Sequence, residues 1–227
     1  MPVGFRVLLV TALALGVLYK SVAGALQCLW PGALSQRDEP DDEHPPADDP
    51  EPIRLTAPAL EALGFVRLGV RRERPWLGRS LLSYDWVHPA EKSYASMYRL
   101  DRRTRRLYFF TPYDGGAAVL TADHRRPGAD LHGYYLAGGL ERATPEELWT
   151  AHQRQMATMD ETGRERIATG SLADRMACAR AWFLGAGKRE VRARQRTAAV
   201  MSVCGVAMLV GIAASVPWRH LELLAKR

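Results

Sequence analysis

The sequence predicts an α+β domain whose mostly antiparallel sheet has about five or six strands and a flanking C-terminal helix, set between two transmembrane helices. Three observations predict it. Each end of the chain carries an apolar segment with an uncharged run of helical length. Between them, six short runs of branched and aromatic residues alternate with turn signals. After the sixth run come two helix-start signatures in succession.

The chain of 227 residues has room for one ordinary domain with appendages or two small ones. Charged residues at 25% and apolar residues at 47% exclude wholesale disorder. Three cysteines cannot build a disulfide framework; Cys28 and Cys204 lie in the apolar segments, which leaves Cys178 alone in the polar part.

The first apolar segment, residues 5–30, is broken by Arg6 and Lys20. Its uncharged stretch Val7–Tyr19 makes about 20 Å of helix, short of the ~30 Å hydrocarbon layer. Two readings follow. One is a secretory signal cleaved after Ala23-Gly24-Ala25. The other is a retained helix ending at Trp30-Pro31, with Lys20 snorkelling to the interface or paired inside an assembly. The interfacial tryptophan favours retention. Gln27 is too bulky to precede a lipidated Cys28.

The second segment, residues 197–218, carries no charge and makes about 33 Å of helix, enough to span. Lys188, Arg189, Arg192, Arg194 and Arg196 precede it, suited to anionic lipid headgroups. Ala207, Gly211 and Ser215 recur every fourth residue, the small-residue spacing that lets membrane helices approach, and Ala12 and Gly16 repeat it in the first segment. The five cations before the span outnumber the three after it, which places the middle domain in the cytoplasm of a two-pass inner-membrane protein. Arg6, ahead of the first segment, votes the other way.

Residues 31–53 read as an acidic, proline-rich linker. Between Arg37 and Glu51 lie eight acids and one base, so this stretch carries −7 and the rest of the chain +13. Like charges and Pro40, Pro45, Pro46, Pro50 and Pro52 predict an extended tether. The domain then covers residues 54–165. Thr56 caps a short helix, Ala57–Leu63, stopped by Gly64. Strands follow at Phe65–Arg72, Leu81–His88, Ser93–Leu100, Arg105–Thr111, Ala117–Ala122 and Leu131–Ala137, and short connections such as Pro89–Lys92 and Pro112–Gly116 imply an antiparallel meander. Thr144-Pro145-Glu146-Glu147 is a complete capping box whose helix buries Leu148, His152, Gln155, Met156 and Met159. Ser171-Leu172-Ala173-Asp174 opens a second helix in a basic connector, residues 166–196, interrupted by Gly185 and Gly187.

Residues 55–160 carry a series of short motifs: Leu60–Phe65, His88-Pro89 with Tyr94–Tyr98, Asp114-Gly115 ahead of Leu120-Thr121, and Thr144–Leu148 with His152. In that order they resemble a family of uncharacterised, membrane-anchored bacterial proteins. The resemblance implies an N-terminal membrane helix and a structural role for the motifs; it implies no activity.

Candidate chemistry is sparse. Asp123, His124, Asp130 and His132 offer two imidazoles and two carboxylates, but the spacing matches no zinc framework and Arg125-Arg126 would oppose a cation. His88 shares strand parity with Tyr84 and Trp86 beside Tyr94 and Tyr98, without a nucleophile at a recognisable spacing. The arginines at 71, 72, 74, 102, 103, 105 and 106 lack a nucleic-acid module around them and suit lipid or protein. The expectation is a non-catalytic, membrane-tethered interaction module or accessory subunit that offers its sheet to a protein partner in the membrane. Its contacts would run through Lys20, Arg189, Arg192, Arg194, Arg196, Ala207, Gly211 and Ser215. No catalytic residue, metal, cofactor, nucleic acid or small-molecule substrate is expected. The alternative is a membrane-surface enzyme using His88 or the Asp123–His132 loop.

Overall fold

A computed structural model describes residues 8, 11–19, 37–41, 49–74, 80–99, 104–126 and 128–215. The chain divides into two compact units, one of residues 34–188 and one of residues 1–33 with 189–227.

The first unit is built on one eight-stranded sheet. In chain order its strands are β1 (Arg37–Pro40), β2 (Val66–Arg74), β3 (Leu81–His88), β4 (Ser93–Arg99), β5 (Arg105–Pro112), β6 (Ala118–Ala122), β7 (Ala129–Leu131) and β8 (Tyr135–Gly139). They lie in the order β1-β2-β3-β4-β5-β6-β8-β7. From β1 to β6 every neighbour is antiparallel, as the short connections require. The meander then skips a position: β7 forms the far edge, and the chain turns back so that β8 enters parallel to β6. The expected sixth strand, Leu131–Ala137, is therefore two strands around a tight turn. In β2 the register slips between Arg67 and Gly69, and Gly69, at φ +146, supplies the backbone conformation that the bulge needs.

Helices cover both faces. On one lie α2 (Glu51–Ala62) and α3 (Pro145–Asp160), closing a core of Ile53, Leu60, Phe65, Trp86, Phe109 and Trp149. On the other lies α4 (Leu172–Leu184), over Val87, Tyr94, Phe110, Leu120 and Tyr135. We number residues 11–19, which are helical, α1.

At residues 37–41 and 49–53 the structure corrects the expectation of a tether; residues 31–36 and 42–48 of that stretch lie outside the described residues. Residues 37–40 are β1, paired with β2 from Arg37↔Arg74 to Pro40↔Arg71. The helix expected at Ala57 starts six residues earlier, at Glu51. Pro50 and Pro52 occupy its N-cap and first turn, positions where a missing N–H costs no helical hydrogen bond. Thr56 is consequently inside α2, and its hydroxyl donates to the Pro52 carbonyl at 2.9 Å rather than capping. Gly64 does end the helix, at φ +92. The capping box of α3 forms as expected: Glu147 N–H donates to Thr144 Oγ1 at 3.3 Å, and Thr144 N–H to Glu147 Oε2 at 2.9 Å. Ser171 caps α4 by accepting from Asp174 N–H.

The second unit contains α1 and, from Arg189 on, α5 (Lys188–Ser215). Among the described residues, α5 over Lys188–Ile212 is the helix long and apolar enough to cross a membrane. The rest of the first apolar segment and residues 216–227 lie outside the described residues.

Candidate functional site

With both sheet faces covered, polar side chains of the first unit cluster at the β1–β2 edge and in interior networks, two of which centre on Arg71 and on His152. At the edge Asp38 and Glu39 of β1, and Asp41 just after it, each meet an arginine of β2. Asp38 Oδ2 lies 3.1 Å from Arg71 Nη1, Asp41 Oδ2 lies 3.0 Å from Arg72 Nη2, and Glu39 Oε2 lies 3.2 Å from Arg74 Nη2. Asp49, just ahead of α2, takes both Nη atoms of Arg67, whose guanidinium also lies over the rings of Trp86 and Tyr84. Burial, followed by the charge of Asp49, pushes the Tyr84 hydroxyl up to about 12. The arginine cluster at residues 71–74 is thus answered within the chain.

Arg71 leads into the first interior network. Its Nε donates to Asp85 Oδ2 at 2.7 Å, and its Nη2 reaches Ser83 Oγ at 3.2 Å, Tyr108 OH at 3.1 Å and Glu73 Oε1 at 2.7 Å. Arg175 enters from α4: its Nη2 donates to Ser96 Oγ at 3.0 Å and Tyr108 OH at 2.9 Å, and its Nε lies 3.3 Å from Asp85 Oδ1. Ser96 hydrogen-bonds the same Asp85 oxygen. The Arg175 guanidinium sits among the rings of Phe110, Tyr94 and Tyr108, at 5.0, 5.3 and 5.9 Å. Burial opposes the Arg71 charge, but Asp85, Glu73 and Asp38 outweigh it and hold the group ionised, well above the ordinary arginine range. The chemistry is that of a charge clamp: it fastens β1 and α4 to one point of the sheet.

The second network, on the opposite face, surrounds His152 of α3, which is fully buried. Thr121 donates to Gln155 Oε1 at 2.9 Å and accepts from His152 Nδ1 at 2.8 Å, which leaves Nε2 to accept from the Thr111 hydroxyl at 2.8 Å. Ser93 Oγ lies 2.8 Å from Thr111 Oγ1. Burial first, then the Arg166 charge, push the imidazole down to about 3. It is neutral, satisfied and sealed from substrate.

The remaining candidates separate. The register sets Tyr94 opposite Val87 and Tyr98 opposite Ser83, so both leave the face that carries Tyr84, Trp86 and His88. The expected histidine among tyrosines is corrected to a histidine among other aromatics: His88 stacks on Trp149 at 5.5 Å and meets the edge of Phe65 at 5.2 Å. The Asp123–His132 loop is likewise divided. Asp123 is buried and ion-paired to Arg105, with His124 Nδ1 3.5 Å away. Asp130 and His132 instead line a cleft of about 710 Å³ with Thr158, Glu161 and Arg164, over a floor of Leu136 and Met159. Among the described residues no three His, Cys, Asp or Glu side chains converge as metal ligands.

In the second unit Gly205 is the close contact. A Cβ there would lie 2.9 Å from Leu18 Cγ and 3.5 Å from the Ala14 carbonyl, and Ala14 is fully buried. Ala207 and Gly211 are exposed, with open space beside Gly211 and beside Gly16 of α1. Ser215 is the last residue of α5. Arg189, Arg192 and Arg196 are exposed on α5, Arg194 lies within it, and Lys20 is outside the described residues.

Sequence reasoning missed the Arg71–Asp85–Arg175 clamp, whose members come from three separate elements. It also missed the matching of the acidic stretch to β2, although the compensating charges of −7 and +13 were a signal. No family model, no curated protein and no solved structure matches the chain.

Proposed function

We propose that the protein is a non-catalytic interaction module, an accessory subunit held in the bacterial inner membrane by two helices with its sheet domain in the cytoplasm. The observation that carries this reading is the surface of α5. Gly205 is buried against α1, while Val200, Val203, Val206 and Val210 are each more than half exposed. Apolar surface of that extent on a soluble chain would aggregate; around a membrane helix it meets lipid and neighbouring helices. The exposed Arg189, Arg192 and Arg196 ahead of it suit anionic headgroups, at about 1 kcal/mol each. Because helices cover both faces of the sheet, the partner-facing parts of the domain are its edges and helices, not the sheet face.

Affinity purification in a gentle detergent tests the reading. A partner recovered in fixed ratio supports it, and the chain recovered alone contradicts it. Lys20→Leu sharpens the test: if the ammonium is paired in an assembly, recovery of the partner falls, and if it only snorkels, recovery is unchanged.

The cleft at Asp130 and His132 favours a second reading, an enzyme at the membrane surface. A small molecule bound by the purified chain, and lost when the cleft residues Asp130 and His132 are replaced, would support that reading against the first.

A further inference from the structure

We propose that the arginine-lined edge of β2 is a docking groove for an acidic, extended strand of a protein partner, and that β1 is its resident, displaceable occupant. The inference rests on the interaction-module reading and says which surface the partner uses.

β1 is an unusual strand. Its sequence is Arg-Asp-Glu-Pro, and its one apolar residue, Pro40, is exposed. No apolar side chain of β1 enters either core. Backbone pairing and charge hold it, with α4 packed alongside. The backbone ladder spans the four residues of β1, followed by Asp41 N–H donating to the Val70 carbonyl at 2.8 Å. The charges are matched one to one: Asp38 with Arg71, Glu39 with Arg74 and Asp41 with Arg72. The Glu39–Arg74 pair is about half exposed on both sides, so salt screens it, while in the Asp41–Arg72 pair the arginine is exposed and the carboxylate is buried. Asp38 is held in the interior, on the buried Arg71, so an incoming strand that supplies the same carboxylate there can exchange with β1, and its place is already shaped for strand addition.

The same contacts say what fits. Arg71 is 1% exposed, so the position that meets it needs a short carboxylate, as Asp38 provides. The next residue and the third after Asp38 need acids for Arg74 and Arg72, and the position between them tolerates proline, as Pro40 shows. The partner is therefore an extended segment of the form Asp-acid-any-acid.

A separate protein fits better than a second copy. Among the described residues, β1 pairs with four of the nine residues of β2. Another copy would offer the same four residues, in competition with a strand already attached. A foreign strand that carries the acids but has no β2 of its own meets no such competition.

The test uses the full chain in mild detergent and a fluorescein-labelled peptide of residues 35–43, read by anisotropy. Wild type should bind it weakly. Glu39→Gln with Asp41→Asn, which leaves Asp38 on Arg71, should bind at least tenfold more tightly. Binding should fall steeply between 50 and 500 mM NaCl, and Arg72→Glu with Arg74→Glu should abolish it. Equal binding to wild type and the Glu39/Asp41 variant, or binding indifferent to salt, would overturn the proposal. Should that variant not fold, hydrogen exchange on wild type decides: excess peptide should speed exchange at Asp38, Glu39 and Asp41, and no change overturns the proposal. A wild-type dimer dispersed by the peptide would make a second copy the occupant and overturn the partner. If the peptide fails while a stoichiometric partner still copurifies, the groove is wrong and the module reading stands.

Discussion

Arg71 and Asp85 meet at 2.7 Å across β2 and β3, where neither side chain is more than 1% exposed. An ion pair so placed gains little over a well-packed apolar pair, but breaking it strands a charge in the interior. Asp85 is also the counter-charge of Arg175. Asp85→Asn should therefore lower the stability of the sheet domain by about 3–5 kcal/mol, read as a fall in the urea midpoint. A loss below about 1 kcal/mol would show that the two guanidiniums are neutralised by other means.

His152 makes stability depend on pH. Its folded-state pKa of about 3 lies below the ordinary 6.5, so the unfolded chain takes up a proton that the folded chain refuses. This contribution is complete above pH 6.5 and is lost as pH falls from there towards 3. Between pH 6 and pH 4 the slope from this one group approaches about 1.4 kcal/mol per pH unit. Carboxylates add their own acid sensitivity, so the comparison is between wild type and His152→Gln. Denaturant titrations at several pH values should show the smaller slope in the variant, and parallel slopes would contradict the buried neutral imidazole.

Gly205 and Gly211 are six residues apart on one helix and differ in their surroundings. A side chain at Gly205 meets Leu18, whereas Gly211 has nothing within 4 Å. Gly205→Ile should cost about 1–3 kcal/mol of helix pairing and Gly211→Ile should not. Co-capture of separately expressed residues 1–33 and 189–227 in detergent reads the difference. Equal recovery from both variants would mean that α1 and α5 do not pair through Gly205.

The legible parts of the fold are those set by local chemistry. β3 falls on Leu81–His88 as expected, and β2, β4, β5 and β6 fall within a residue or two, because alternation and turn residues act over short distances. The α3 capping box is legible for the same reason. The burial of His152 could be read from helical spacing, but its partners Thr111 and Thr121 could not, since strand register brings them together. β1 was hidden because its acids repel one another in sequence and are neutralised only once β2 lines up Arg71, Arg72 and Arg74. The parallel entry of β8 depends on a skipped position that no local residue announces. Ala207 and Gly211 have the spacing of a helix seam, yet Gly205 makes the contact, since spacing marks several faces and packing selects one.

In the proposed role, α5 holds a protein partner as well as lipid. The most direct measurement places a photo-crosslinking amino acid, in separate variants, at Val203, Val206, Met208 and Val210, which are all exposed. Irradiation in intact cells should then give a discrete protein adduct of one reproducible mass, strongest at the positions on one helical face. Adducts with lipid alone at all four positions would contradict it.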